Sequence, residues 1–367
     1  MKRIRALGAL LCALLLLTGC TPGSSPSDSL SRPAPPEVRE EAAPFEVRML
    51  DVGQGECLLL VSDGDYLLYD GGGRAYSSYV VSYLRQHGIR HLDYLFVSHY
   101  DEDHINGLVG VLNTTEVDTA VTPDYRADSK IYTSFQKMLK QNGAKTVHPA
   151  LGDTYTLGGA DIQVVSPKSY RCKAENDRSI AIRAQYGAFS CIITGDAEAA
   201  AEQDMLDSDL ELDSDLYVAG HHGSSSSSTP DFVRAVSPDY AFLCVGRGNS
   251  YGHPTQKTLT TLRDNQVQIF RTDLQGEVTA CSDGDRCWFS TAPCSDWSPG
   301  AQGDEDLLPA SEAQRATTYI LNERSHIFHN PDCPGAAQMK LSNQKRSRAS
   351  RKNLISRGYR PCQICQP

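Results

Sequence analysis

The segment from Ser98 to His104 concentrates the side chains of this sequence that can do chemistry. It reads Ser-His-Tyr-Asp-Glu-Asp-His and follows directly on Tyr94 to Val97, an apolar stretch that predicts a short strand. Two imidazoles and up to three carboxylates this close together would repel or desolvate one another unless a cation held them. The segment therefore predicts a metal site at the end of a strand, where α/β sheets carry functional groups.

Further polar motifs stand beside other strand-like stretches. They are Asp51 to Glu56, Leu68 to Gly72, Asn176 to Ser179, Ile193 to Asp196, Ala219 to Ser224 and Asn249 to Pro254. Their order, with the H-x-D-x-D-H pattern of the first segment, resembles the metallo-beta-lactamase superfamily in its branch of ComEC-type nuclease domains. The resemblance covers residues 45 to 280 and departs from the family at Glu56, where the family has Asp.

This resemblance implies a hydrolase with two divalent metal ions. The expected ligands are His99 and Asp101 for the first ion, Asp103, His104 and His221 for the second, and Asp196 as the bridge between them. The family lacks the third-motif histidine of true beta-lactamases, and Asn176 stands at the matching point; His148 is an imperfect replacement that we expect on the surface. An oxygen-rich first site favours Mn²⁺, with Zn²⁺ as the alternative.

His221 and His222 are adjacent, and either imidazole could be the metal ligand. Neighbouring side chains on an extended segment point in opposite directions, so we expect one of the two to be a metal ligand. We favour His221 in that role and expect His222 to line the catalytic pocket.

A pair of divalent ions would lower the pKa of a bridging water, and the resulting hydroxide would be the nucleophile. A phosphodiester gains more from such a site than a neutral amide does. We expect His253 to be the proton donor to the leaving oxygen, with loop packing as its alternative role, and Asp103 and His222 to share in catalysis. Substrate contacts are predicted for Asn176, Ser179, Ser224 and Asn249.

The N-terminal residues predict export. Basic residues precede an apolar run from Ala6 to Leu17, and the ending Leu-Thr-Gly-Cys resembles a bacterial lipobox, which implies a lipid on Cys20. Residues 1–20 are thus expected to be a lipoprotein signal, and residues 21–44, rich in Ser, Pro and Glu, a disordered tether. We expect the protein on the extracellular face of the membrane, held by its lipid and without a transmembrane channel of its own.

The C-terminal residues predict a small basic module. Residues 293–315 are rich in Pro, Gly and Ser and predict a linker, and residues 316–367 hold nine basic and two acidic residues, a net charge of +7. Against a net charge of −10 for the whole chain, this suggests that the module contacts DNA. The module resembles Ada-like zinc-binding modules. Its candidate zinc ligands are His329, Cys333, Cys362 and Cys365, and a Cys362–Cys365 disulfide is the alternative.

Two cysteines outside this module are candidates for a disulfide in an exported protein. Cys281 and Cys287 flank a turn-like stretch, Ser-Asp-Gly-Asp-Arg, that predicts a hairpin. Cys294 is a rival partner for either of them.

These expectations combine into one prediction of fold and function. Residues 45–292 are expected to form an α/β hydrolase domain, the αβ/βα four-layer sandwich of metallo-beta-lactamases, followed by a small zinc-binding α+β module. The predicted function is an extracellular phosphodiesterase, a DNase similar to the ComEC nuclease domain. The alternatives are a phosphodiesterase of wall polymers such as phosphocholine-bearing teichoic acid, and a non-catalytic surface lipoprotein that binds DNA. No tight aromatic cluster in the sequence predicts a cage for a quaternary ammonium group.

Overall fold

The computed structural model describes residues 36–39, 41–300, 319–322, 325–330, 333, 336, 343–347, 354 and 359–362. The predicted signal with Cys20, residues 301–315 of the predicted linker, and Cys365 lie outside the described residues. Among the described helices, none has both the length and the apolar character that crossing a membrane requires.

The first sheet of the body has nine strands, built from apolar stretches of five or six residues and short edge pieces. Its order is β1-β16-β15-β2-β3-β4-β5-β6-β7. The strands are β1 (Glu37–Val38), β2 (Phe45–Met49), β3 (Leu58–Ser62), β4 (Asp65–Tyr69), β5 (His91–Phe96), β6 (Glu116–Val121), β7 (Lys145–Val147), β15 (Val278–Ser282) and β16 (Cys287–Phe289).

The second sheet has seven strands in the order β14-β13-β12-β11-β10-β9-β8. These strands are β8 (Thr154–Leu157), β9 (Ala160–Ser166), β10 (Ala181–Tyr186), β11 (Phe189–Ile193), β12 (Leu216–Val218), β13 (Tyr240–Leu243) and β14 (Gln268–Arg271). A completely buried core that includes Leu60, Phe96, Ile182 and Phe270 joins the two sheets face to face. Burial of these apolar side chains is the main force that holds the sandwich together.

Helices cover the outer faces of both sheets. Val80, Leu108 and Phe135 share a buried cluster with residues of the first sheet, and Phe232 and Leu262 share another with the second. The resulting four layers confirm the predicted fold class. The helices are α1 (Ser77–Gln86), α2 (Glu102–Thr114), α3 (Lys130–Asn142), α4 (Ala199–Leu206), α5 (Pro230–Val236), α6 (Gln256–Asp264) and α7 (Thr272–Gln275).

Residues near the C-terminus form a separate four-stranded sheet in the order β19-β17-β18-β20. Leu321, Phe328 and Leu354 are buried together on it. The strands are β17 (Tyr319–Asn322), β18 (Ile327–His329), β19 (Gln344–Ser347) and β20 (Arg360–Pro361).

Both predicted flexible segments contribute residues to the body. Within the predicted tether, β1 pairs in parallel with β16, and Arg39 N donates to Phe289 O at 3.0 Å. Within the predicted linker, Trp297 packs beside Arg263 of α6, with 4.8 Å from the guanidinium carbon to the ring centroid. The composition of both segments predicts a flexible chain. In the structure, the open edge of the first sheet gives β1 hydrogen-bond partners, and the exposed Arg263 of α6 gives Trp297 a surface to pack against.

Cys281 and Cys287, the candidates for a disulfide, are both free thiols in the structure, as is their rival partner Cys294. The hairpin is present, but Cys281 lies opposite Trp288, and Cys287 lies opposite Ser282. Because successive residues of a strand face opposite sides of the sheet, the two cysteines point away from each other.

Candidate metal centre

Strand ends bring the chemically active side chains together. β4 and β5 are parallel neighbours that end before Asp70 and before the segment Ser98–His104. In the second sheet, β11 and β12 are parallel neighbours that end before Asp196 and before His221-His222. The carboxyl ends of parallel strands lie at one edge of a sheet, and here the edges of both sheets meet.

Asp196 is the centre of this site because its two carboxylate oxygens face two different pairs of histidines. Oδ1 lies 3.2 Å from His104 Nε2 and 3.5 Å from His222 Nε2. Oδ2 lies 3.9 Å from His99 Nε2 and 3.6 Å from His221 Nε2. The carboxylate is thus placed as a bridge between two groups of ligand atoms.

Each pair of histidines is joined by one further carboxylate. Asp101 Oδ2 lies 3.5 Å from His99 Nε2, and Asp103 Oδ2 lies 3.4 Å from His222 Nε2. We name the two sets the first and the second ligand group, both sharing Asp196. The first group is His99, Asp101 and His221, and the second group is Asp103, His104 and His222.

These residues fit a pair of divalent cations. Nε2 of His99, His104 and His222 and Oδ1 of Asp196 are buried and have no hydrogen-bond partner among the described residues. A buried polar atom without a partner costs about 1–3 kcal/mol, so four of them at one place require an explanation. Imidazole nitrogen and carboxylate oxygen are ligand atoms for Mn²⁺ and Zn²⁺, and coordination would satisfy all four.

The other ring nitrogen of every histidine contacts a polar group, which fixes the direction of Nε2 towards Asp196. Such contacts orient metal-binding imidazoles and are a regular part of metal sites. The Nδ1 contacts are Ser98 Oγ at 2.9 Å for His99, Asp70 Oδ2 at 2.7 Å for His104, Glu198 Oε1 at 3.2 Å for His221, and Cys244 O at 3.0 Å for His222.

The charged groups of the metal-free centre still act on one another across 3.2 and 3.5 Å, although these atoms are not aligned for a hydrogen bond. Burial alone would raise the pKa of Asp196, but His104 and His222 hold it well below its ordinary value. Burial alone would lower the pKa of His104, but Asp196 and Asp70 raise it well above its ordinary value. His104 therefore holds a proton that a metal ion would replace.

Glu56 lies behind His104 and is completely buried. Its carboxylate oxygen lies within 4.8 Å of ligand atoms of Asp70 and His104, and its Oε1 has no hydrogen-bond partner in the part of the chain that the structure describes. Burial, with the charge of Asp70 as a further cause, raises the pKa of Glu56 to about 8. This carboxyl group is therefore protonated at neutral pH in the metal-free protein.

The prediction for the pair His221-His222 differs from the structure. Both residues lie in a tight turn, Gly220–Gly223, and both are left-handed, with φ of 50° and 55°. The segment is not extended, so both imidazoles face Asp196 instead of pointing apart. His222, which we expected to line the pocket, completes the second group, and His221 joins the first.

His253 lies beside His221 at the centre. Its ring centroid is 5.7 Å from that of His221, and its Nδ1 is 3.5 Å from Gln54 Nε2. Burial, followed by the nearby His222 and His221, lowers the pKa of His253 to about 4. In the metal-free protein at neutral pH the ring is therefore uncharged, and its role as proton donor stays a prediction.

Three of the four predicted substrate contacts, Asn176, Ser224 and Asn249, have side-chain hydrogen-bond partners within the protein. Asn176 Nδ2 lies 3.3 Å from Glu198 Oε1, and Ser224 Oγ lies 2.9 Å from Ser226 Oγ. Ser179 is completely buried, which gives a direct substrate contact no support. Asn249 donates to Gly246 O and His253 O and accepts from Tyr251 N and His253 N, so its amide shapes the loop over the centre.

Sequence reasoning missed Glu198, which contacts both Asn176 and His221. Its position two residues after Asp196 is the one signal that pointed to it. His148 lies away from the centre, with Nδ1 2.8 Å from Thr122 O.

Three of the four predicted zinc ligands of the C-terminal sheet are close together and buried. His329 Nδ1 lies 3.4 Å from Cys333 Sγ, which lies 4.0 Å from Cys362 Sγ. The fourth, Cys365, lies outside the described residues. The three ligand atoms fit three corners of a tetrahedral site.

Comparisons with known proteins identify the family of this chain. A model of the metallo-beta-lactamase superfamily matches residues 50–247. The chain is 28% identical over 251 residues to ComE operon protein 3 of Bacillus subtilis (strain 168), covering 64% of this chain and 32% of that protein. It is 30% identical over 277 residues to Competence protein ComA of Neisseria gonorrhoeae, covering 74% of this chain and 37% of that protein.

The chain spans about a third of the length of these curated relatives. A solved structure, the metallo-beta-lactamase fold protein YhfI from Bacillus subtilis, aligns with a TM-score of 0.42 at 15% identity, over 62% of this chain and 96% of that chain. The family match extends over more than half of the chain and confirms the predicted family and enzyme class. The chain therefore belongs to the metallo-beta-lactamase superfamily, as a hydrolase of that fold with competence proteins among its relatives.

Proposed function

We propose that this protein is a metal-dependent phosphodiesterase that cleaves DNA outside the cell. The observation that carries the proposal is the position of Asp196 between two pairs of histidines, three of which have a buried Nε2 without a hydrogen-bond partner among the described residues. The relatives reported above, one of which is named as a competence protein, favour DNA as the polymer.

The chemistry requires two cations with fixed positions. Bound divalent ions supply Lewis acidity, which lowers the pKa of water and neutralises the negative charge of a phosphodiester. The protein contributes rigid ligands: Asp70 and Cys244 O fix the rings of His104 and His222 in the second group. Gln54 bonds to Gly246 N and lies beside His253, so it fixes the loop that covers the centre.

We propose either Mn²⁺ or Zn²⁺ as the natural metal of the two ligand groups. Oxygen ligands alone beside His99 would have favoured Mn²⁺, but His221 adds a second imidazole to the first group. Each group then offers two imidazoles and two carboxylates, counting the shared Asp196, which suits either ion. For the C-terminal sheet we propose one structural Zn²⁺ on His329, Cys333, Cys362 and Cys365.

The place of action and the role of the basic module are further proposals. Cys20 would carry a lipid that holds the protein on the extracellular membrane face, and the module would bind DNA through its excess of positive charge. Replacement of Cys20 by Ser should move the protein from the membrane fraction to the medium. Retention in the membrane fraction would contradict the lipid anchor.

Purified protein, stripped of metal and reloaded with Mn²⁺ or Zn²⁺, tests the activity. It should cleave labelled DNA, and Asp196→Asn should lower cleavage by at least about 100-fold because it disrupts both ligand groups. Asp204→Asn, a change to an exposed side chain of α4, is the matched control. Hydrolysis of a wall polymer without nucleic acid cleavage would favour the teichoic acid alternative, and DNA binding without turnover would favour the receptor.

A further inference from the structure

A groove leads from the candidate metal centre across α2 towards α3. Its inner part, a cavity of about 300 Å³, is lined by Asp103 of the centre and by Tyr251 of the covering loop. Its outer part, of about 710 Å³, extends along α2 to Lys130 at the start of α3. The two parts form one channel because they share the wall residues Arg74, Glu102 and Asn106.

Three exposed cations line this groove: Arg247 in the inner part, Arg74 in the shared wall and Lys130 in the outer part. None of the three forms an ion pair with any residue that the structure describes; the Arg and Lys ion pairs there belong to other residues. Glu102 is the one carboxylate of the shared wall. In a chain with a net charge of −10, three unpaired cations along one channel are suited to a polyanion.

Tyr251 adds an aromatic surface at the inner end. Its side chain is 62% exposed, and among the described large apolar side chains it is the one exposed aromatic. One face of the ring stacks on His253, with centroids 5.7 Å apart and an interplanar angle of 30°. Asn249 accepts a hydrogen bond from Tyr251 N at 3.1 Å and holds the residue in place beside the metal centre.

We propose that this groove binds a single-stranded nucleic acid, with phosphates on Arg247, Arg74 and Lys130 and a base stacked on Tyr251. The inference rests on the proposed function and specifies its substrate class. Cationic grooves with aromatic platforms suit single strands, because every unpaired base presents a flat face for stacking. A duplex keeps its bases inside, and a polyol phosphate of the cell wall has the charge but no base.

The first test compares two chains of equal length, an oligothymidylate and its abasic phosphodiester counterpart. Each is offered to the metal-loaded full chain, and the ratio of kcat/KM for the two is measured. Tyr251→Ala should lower this ratio by about 5- to 100-fold, since stacking of one base is lost. Tyr251→Phe keeps the ring and should keep the ratio of the unmodified protein.

The outcomes separate this inference from the proposed function. If the unmodified protein hydrolyses neither oligomer with any metal, the proposed nuclease activity is wrong. If it hydrolyses both and Tyr251→Ala leaves the ratio unchanged, nuclease activity stands and the stacking role is overturned.

The second test addresses the phosphate contacts through salt. Binding of a hydrolysis-resistant phosphorothioate oligothymidylate is measured by fluorescence anisotropy at several salt concentrations. Arg74→Ala, Lys130→Ala and Arg247→Ala should each reduce the slope of log affinity against log salt by about 0.7, the value for one lost phosphate contact. Lys140→Ala, which removes an exposed cation at the far end of α3, should leave the slope unchanged.

Competition tests the identity of the polymer. A poly(glycerol phosphate) of equal charge should displace the oligothymidylate more weakly, because it offers no base to Tyr251. Equal competition would overturn the assignment to nucleic acid and favour a wall polymer in the same groove. If the slope of log affinity against log salt in all three Ala variants equals that of the unmodified protein, the proposed phosphate contacts with Arg74, Lys130 and Arg247 are overturned.

Discussion

His104 Nδ1 lies 2.7 Å from Asp70 Oδ2, and both side chains are completely buried. Asp70 also accepts hydrogen bonds from Ser98 N and Ser98 Oγ, so the carboxylate is fixed between two strand ends. The imidazole is therefore held with Nε2 directed at Asp196, 3.2 Å from its Oδ1.

Asp70→Asn should weaken binding of the ion in the second group by about 10- to 100-fold, because the imidazole loses its charged orienting partner. Asn tolerates the left-handed backbone of this residue, which has φ 56°, so the fold should remain. Affinity is measured by competition with a chromophoric chelator. Asp65→Asn, at the other end of β4, is the control, and equal affinities in both variants would show that the contact does not orient His104.

Metal binding should release protons, and its affinity should rise with pH. Burial alone would lower the pKa of His104 and His222 in the metal-free protein, but nearby carboxylates, Asp196 first, raise both, and the pKa of His104 lies well above its ordinary value. A metal ion therefore competes with protons for these rings. Each displaced proton changes the apparent affinity by up to about tenfold per pH unit. Calorimetry in two buffers of different ionisation enthalpy measures the protons released, and none released would contradict the ion pairs.

The same shifts determine the pH dependence of metal-free stability. A histidine whose pKa is raised on folding stabilises the fold below its ordinary pKa, and this contribution is lost as pH rises through the raised value. The metal-free protein should therefore lose stability as pH rises through that range, and the metal-loaded protein should lose less. Thermal unfolding across this range measures both; equal losses in the two forms would contradict the explanation.

His221→Ala and His222→Ala should each reduce the metal content by about one equivalent, because the two rings lie in different ligand groups. Metal per chain is measured by mass spectrometry after equilibration with excess ion and desalting. His87→Ala changes an exposed histidine at the end of α1 and should keep the full content. Full occupancy of the His221→Ala protein would restrict His221 to a supporting role.

The candidate metal ligands that directly follow apolar strands could be predicted from the sequence, because an apolar strand pattern and a run of metal-binding side chains stand next to each other there. The strand expected from Tyr94 to Val97 is β5, His91–Phe96, and the strand expected before Asp196 is β11, Phe189–Ile193. Alternating apolar residues determine where such strands end, and parallel strands bring their ends together. The position of Asp196 between histidines of both sheets follows from that topology.

Conformation and loop contacts were not predictable in the same way. Left-handed φ at the consecutive non-glycine residues His221 and His222 is held by the surrounding structure and not by local preference. Asn249 looked like a substrate contact, but its amide groups are used by its own loop. The groove lined by Arg74 and Tyr251 brings together residues that are far apart in sequence, so no local sequence pattern could predict it.

Gly107 on α2 should not tolerate even one added methyl group. A Cβ there would lie 1.8 Å from Gly71 O, where Gly107 N donates to Gly72 O at 3.0 Å and Gly71 N donates to His104 O at 2.8 Å. Gly107→Ala must therefore separate α2 from the loop that follows β4, and it should destabilise the protein by at least about 1–3 kcal/mol.

The displacement would also move His104 away from Asp70 and lower metal affinity, which an ordinary packing defect elsewhere would not do. Gly73→Ala is the matched control, because Gly73 has φ −75° and its added Cβ would meet nothing closer than 3.9 Å. That change should be neutral, or stabilise by about 0.4–1 kcal/mol through the unfolded state. Urea unfolding with and without metal measures both variants, and equal stability in the two would show that α2 does not need this close contact to hold His104 in place.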